Sequence, residues 1–223
     1  MIEAIDRFGI NMFMGSDSAF LDAFALNVTN AWMWVPMYLA LLFLVIRNHD
    51  NMQQILICFS CGVLGVLLAT GLTTVVTKPL LERLRPCNDP EFKYLVDIAG
   101  NLRNKDFSFF SSHAATSMSL VVFFSLMVRS RLLTISLLAW SLTTCWTRLY
   151  LGQHFFTDVM VGLCWGAIVG SLCYFVYKAV STRVHTPLRV ISTKFTKTGF
   201  DFRDVDVLVT TVVLSFTYAV IAF

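Results

Sequence analysis

Apolar residues gather along this chain into six stretches with few charges, running approximately from Ala31 to Ile46, Ile55 to Thr77, His113 to Val128, Leu132 to Tyr150, Val159 to Tyr177 and Val205 to Phe223. A bilayer core of about 30 Å takes about 20 helical residues to cross. The stretches therefore predict an all-α, polytopic membrane helix bundle with about six transmembrane helices. The first and third are short and need flanking residues such as Leu26 to Asn30 or Arg129. Ahead of them Ile5, Phe8 and Met12 recur at helical spacing, with Ile2 one turn earlier. That spacing predicts an N-terminal amphipathic helix along the membrane surface, with a short helix covering docked transmembrane segments as the alternative. Glu3, Asp6, Arg7 and Asp17 interrupt any run long enough for a cleaved signal peptide. The chain reads as one membrane-embedded domain, 1–223.

Composition agrees with lipid as the second solvent. Of 223 residues 57% are apolar and 14% charged, against about 25% charged in ordinary soluble domains, and the mean hydropathy is +0.70. These values exclude a soluble globule, a disordered chain and a coiled coil. Seventeen Lys and Arg against 14 Asp and Glu are too balanced for a nucleic-acid partner. Five of the six cysteines fall inside predicted spans as small apolar residues. Cys58 and Cys61 have the spacing of a metal half-site but no second half, and Cys87 stands alone on a loop, so no metal is expected.

The scarce charges gather in three places. Lys78 and Arg85 close the second span, seven residues apart; a helix continuing past Pro79 to Pro86 would show both on one face, either as a cationic site or as a collar of snorkelling side chains. The run Phe107-Ser-Phe-Phe-Ser111-Ser112-His113 precedes the third span, where a serine N-cap and free backbone N–H groups make an anion site. Its bland alternative is an interfacial histidine. The third place is Thr147-Arg148, then His154 and Asp158, four apart so that the carboxylate can orient the imidazole. Alone, that pair would read as a helix-end ion pair. Alternating spans put all three clusters on one face, where three cations, two histidines and a carboxylate meet a helix N-terminus. Such a set suits a multiply charged oxyanion, phosphate above all, with a nucleophile and an acid at hand.

Lys78-x6-Arg85-Pro86, Phe110-Ser111-Ser112-His113 and Thr147-Arg148-x5-His154-x3-Asp158 together resemble the three-part signature of the type-2 phosphatidic acid phosphatase superfamily, K-x6-RP, PSGH and SR-x5-H-x3-D. The match covers residues 78–158. Phe110, Ser112 and Thr147 stand where the pattern has proline, glycine and serine; the second part resembles a bacterial variant. The resemblance implies a lipid phosphatase without cofactor or metal. His154 would attack phosphorus to form a phosphohistidine, Asp158 would orient it, and His113 would protonate the leaving group and then activate water. Lys78, Arg85, Arg148, Ser111 and Ser112 would cradle the phosphate. With Lys78, Arg85 and Arg148 set aside for that site, nine Lys and Arg lie on the opposite side against five on this one. The positive-inside rule then turns the site outward, to the periplasmic face of a bacterial inner membrane. The expected partner is a phosphorylated lipid of the bilayer, with a lipid A phosphate or undecaprenyl diphosphate ahead of phosphatidylglycerophosphate and phosphatidic acid. The competing reading is a catalytically inactive lipid-binding or transport protein.

Overall fold

The computed structural model describes residues 2–14, 18–94, 103–184 and 193–222. Asp17, residues 95–102 and 185–192 of the two long connections, and the last residue of the sixth stretch lie outside them. The regular elements among the described residues are all helices, with no strand beyond one isolated bridge between Phe195 and Asp201. Helix α1 covers Ile2–Phe13 and α2 Ala19–Thr29. A short 3-10 turn at Ala31–Trp34 leads to α3, Val35–Arg47, which Pro36 starts. The chain bends by 66° between Ala19–Thr29 and Ala31–Arg47.

Helix α4, Met52–Gly71, passes through a π-helical turn at Leu72–Thr77 into α5, Lys78–Leu81. Thr73, Thr74 and Thr77 each donate to a carbonyl four residues back, at 2.7, 2.8 and 3.0 Å, a pattern that bends helices. After the long connection come α6, Ser112–Val128, and α7, Arg131–Tyr150, then α8, Phe156–Val184, and α9, Phe202–Ile221. Ser111, Ser130 and Asp201 cap α6, α7 and α9, each accepting a backbone N–H of the first turn.

Each predicted apolar stretch is thus matched by a helix. Three helical runs, Met52–Leu81, Phe156–Thr182 and Phe202–Ile221, are by themselves long and apolar enough to cross a bilayer, and the bent pair Ala19–Thr29 with Ala31–Arg47 passes as a fourth. Only 22% of the most apolar window of the first run, and 28% of that of the last, is buried inside the protein. Leu56, Phe59, Leu67, Val75, Val213 and Leu214 point outward, as a lipid-facing surface requires. The protein is a multi-pass membrane helix bundle.

Its tightest seam joins α6 to α8. Without a hydrophobic force between helices in lipid, close approach depends on small residues. Gly162, Gly166 and Gly170 supply it: a Cβ added at these positions would lie 2.6 Å from the Ser111 carbonyl oxygen, 2.2 Å from that of Ala115 and 2.4 Å from that of Ser119. The stripe sets the N-terminus of α6, with Ser112 and His113, against the first turns of α8. Gly166→Val should therefore force the two helices apart, costing about 3 kcal/mol. Thermal unfolding in detergent should show a lowered midpoint, and activity should fall with it.

Helix α1 is amphipathic and docks on the bundle, as the alternative placement for it expects. Ile2, Phe8 and Met12 are exposed on its outer side, and Ile5 less so, while Asp6, Gly9 and Ile10 are buried against the protein. Gly9 serves that docking, since a Cβ there would come within 2.6 Å of the Phe156 Cβ.

Candidate active site

Helix α5 ends at Leu81 because Glu82 turns left-handed, with φ 45°, and its N–H closes on the Lys78 carbonyl at 3.0 Å. Lys78 and Arg85 therefore do not share a helical face, contrary to the spacing argument. The reversal instead lets Arg83 and Arg85 turn back into the protein, where each finds buried partners. Arg85 is buried. Its Nε donates to the Asp106 carbonyl at 2.8 Å and its Nη1 to the Gln153 carbonyl at 2.9 Å. Lys78 is half-buried, and its ammonium makes no hydrogen bond or ion pair with any described residue.

His154 sits in the turn between α7 and α8, ahead of the helix that carries Asp158. The chain enters this turn through Gly152 at φ 62°, a conformation that favours glycine. The predicted helical i, i+4 contact is therefore replaced by a three-way junction. Asp158 Oδ2 accepts the Phe155 N–H at 3.0 Å and lies 3.7 Å from His154 Nδ1. Ser108 stands between them, its hydroxyl donating to Asp158 Oδ2 and lying 3.4 Å from His154 Nδ1. This arrangement occupies Nδ1 and leaves Nε2 as the nitrogen with a lone pair to offer. Burial drives the imidazole pKa down to about 4, against the raising effect of Asp158. The ring is neutral at ordinary pH, as a nucleophile must be.

Arg148, on the last turn of α7, donates through Nη2 to the hydroxyl of Thr29 at 2.9 Å and to its carbonyl at 3.3 Å. Its Nε is buried without a hydrogen-bond partner, which leaves one donor of the guanidinium fork unspent. Thr29 also donates to Thr147 Oγ1 at 3.0 Å, and Thr147 in turn donates to the Thr144 carbonyl at 2.7 Å. The threonine at this motif position thus uses its hydroxyl to link α2 to α7.

Ser111 spends its hydroxyl on the Ala114 N–H at 3.4 Å and its own N–H on the Asp158 carbonyl at 3.1 Å. His113, one residue into α6, lies within electrostatic reach of Arg148, His154, Lys78 and Arg85. Its ring is exposed and lines a cavity of about 280 Å³ with Ser112, Thr116, Trp34, Tyr38 and Trp140. Tyr38 and Thr116 also line an apolar groove of about 320 Å³ along α3, α4 and α6.

All eight residues singled out from the sequence lie at this end of the bundle. Four partners are added by the structure: Ser108, Arg83, Gln153 and Thr29. Ser108 and Arg83 lie inside the motif runs, but nothing in their spacing shows that both converge on Asp158. Cys87, expected on an open loop, is fully buried, with its N–H on the Gly152 carbonyl at 3.3 Å. Among the described residues, no group of three or more His, Cys, Asp or Glu is placed to hold a metal ion.

A helical membrane bundle with two histidines and three cations at one end defines a class of membrane phosphatases. The sequence pattern of the PAP2 superfamily matches residues 59–182. The chain is 34% identical over 185 residues to a lipid A 4'-phosphatase of Bacteroides thetaiotaomicron, covering 82% of this chain and 81% of that protein. A lipid A 4'-phosphatase of Porphyromonas gingivalis is 30% identical over 176 residues, 78% and 74% of the two chains. The crystal structure of a transmembrane PAP2-type phosphatidylglycerolphosphate phosphatase from Bacillus subtilis shares the fold. It has a TM-score of 0.54 and 19% identity, covering 82% of this chain and 86% of that one. The chain belongs to the PAP2 superfamily.

Proposed function

We propose that this membrane lipid phosphatase removes a phosphate from lipid A at the periplasmic face of the bacterial inner membrane, by way of a phosphohistidine. The observation that supports this chemistry is the His154 junction, in which Ser108 and Asp158 lie at Nδ1 and leave Nε2 to act as the nucleophile. Lys78, Arg85 and the unspent donor of Arg148 neutralise the phosphoryl oxygens, with the first N–H groups of α6 behind them. Nε2 attacks, the P–O bond to the lipid breaks, and His113 gives its proton to the departing oxygen. His113 then takes a proton from water, which attacks the phosphohistidine and releases phosphate. The cavity beside His113 receives the leaving group.

The choice of lipid A rests on the two relatives that carry that name, 34% and 30% identical to this chain over 185 and 176 residues. Undecaprenyl diphosphate is the second reading, since its phosphate lies at the same depth. Purified protein in detergent with EDTA, given lipid A, undecaprenyl diphosphate, phosphatidylglycerophosphate and phosphatidic acid side by side, should release phosphate fastest from lipid A. Mass spectrometry of the product should locate the loss. Preference for another of the four would replace the substrate, and no release from any would favour an inactive lipid-binding protein.

A further inference from the structure

On the Asp158 oxygen that does not face His154, the structure holds an ion-pair chain that the reaction scheme does not use. The Arg83 guanidinium donates through Nη1 to Asp158 Oδ1 at 2.6 Å and through Nη2 to Asp6 Oδ2. It also reaches the Thr157 hydroxyl at 3.0 Å and lies over the Phe155 ring, 4.0 Å from its centroid. Asp6 is 1% exposed. Its Oδ1 accepts the Thr157 N–H at 3.0 Å and the Thr157 hydroxyl at 2.8 Å. A carboxylate from α1 thus caps the N-terminus of α8, a tertiary version of a helix cap, and meets the positive end of that helix. Two carboxylates buried this deeply need a shared cation, and Arg83 is placed between them.

We propose that Asp6 and Arg83 are positioning residues for the reaction, fixing Asp158 and through it the His154 nucleophile, so that helix α1 takes part in aligning the site. Neither residue touches the phosphate. The Arg83 fork gives one nitrogen to each carboxylate, so it sets the angle of Asp158, and Asp6 sets the fork. The inference rests on His154 and Asp158 forming the reacting pair. His154 is faced by Asp158 of α8, Arg85 of the connection, Arg148 of α7 and His113 of α6, with Lys78 of α5 nearby. Arg83 adds the cation behind the carboxylate.

The test is steady-state kinetics across pH on full-length protein in detergent. Arg83→Met should lower kcat by about 10- to 100-fold with KM nearly unchanged. It should also move the acid limb of kcat upward by about half a pH unit or more, because with less positive charge nearby His154 takes up its proton earlier. Arg83→Lys should keep the acid limb of the unmodified protein and lose rate, since a point charge cannot serve two carboxylates. Asp6→Ala should cost about fivefold alone and nothing further in the Arg83→Met background. An unmoved limb in Arg83→Met, or an Asp6→Ala cost that persists in the double variant, would overturn the proposal. If Arg83→Met does not accumulate, the Arg83→Lys profile decides alone: full kcat would overturn it. An active His154→Ala protein would instead overturn the reading beneath, whereas an inactive one beside a normal Arg83→Met would overturn only this inference.

Discussion

Replacing His154 by alanine is expected to cut phosphate release by about 10⁴-fold or more, because a nucleophile has no substitute within reach. The structure makes the prediction sharp. His154 is 2% exposed and anchored by its own backbone N–H to the Arg148 carbonyl at 3.3 Å, while Ser108 and Asp158 claim Nδ1. Its removal leaves the cations in place, so lipid binding should persist. A His154→Ala protein that binds lipid in detergent but does not release phosphate fits this account. One that retains a tenth of the normal rate would remove His154 from the nucleophile's role.

The second large effect is expected at His113. His113→Ala should slow release from a lipid by about 10²- to 10⁴-fold, the span of general acid–base catalysis. An activated aryl phosphate has a leaving group that needs no proton, so its first step should proceed nearly normally in this variant. The second step needs a base for water and should remain slow. The expected record is a burst of one phenolate per enzyme followed by slow turnover. Equal slowing of both steps and both substrates would argue against an acid–base role for His113.

Much of this architecture can be read from the chain before it is folded. The apolar stretches at His113–Val128, Leu132–Tyr150 and Val205–Phe223 meet helices α6, α7 and α9 within about three residues, because burial in lipid demands continuous apolar length. The eight motif residues meet at one end because alternating helices return there. Other features depend on contacts far apart in sequence. Helix α2 is a separate helix rather than an extension of α3, and its Thr29 is Arg148's partner across 119 positions. Asp6 and Arg83 are 77 positions apart. The left-handed turn at Glu82 carries no glycine to announce it; what holds the turn is the burial of Arg83 and Arg85 after it. The glycines at 162, 166 and 170 are visible as a stripe, yet only the fold shows that α6 is what they meet.

Ser112 stands where the family pattern has glycine. Ser112 is half-buried and lines the cavity beside His113. On the facing helix Gly162 packs against the Ser111 carbonyl. Ser111 is committed to capping α6 and keeps that helix end in place.

The central claim is a covalent phosphohistidine at His154, and one measurement reaches it directly. His113→Ala protein would be mixed with an activated aryl phosphate, quenched in base during the slow phase and digested for mass spectrometry, since phosphohistidine survives base. The account predicts a phosphorylated peptide with the modification on His154, absent when His154→Ala is added. A phosphate on another residue, or an unmodified His154 after a clear burst, would contradict it.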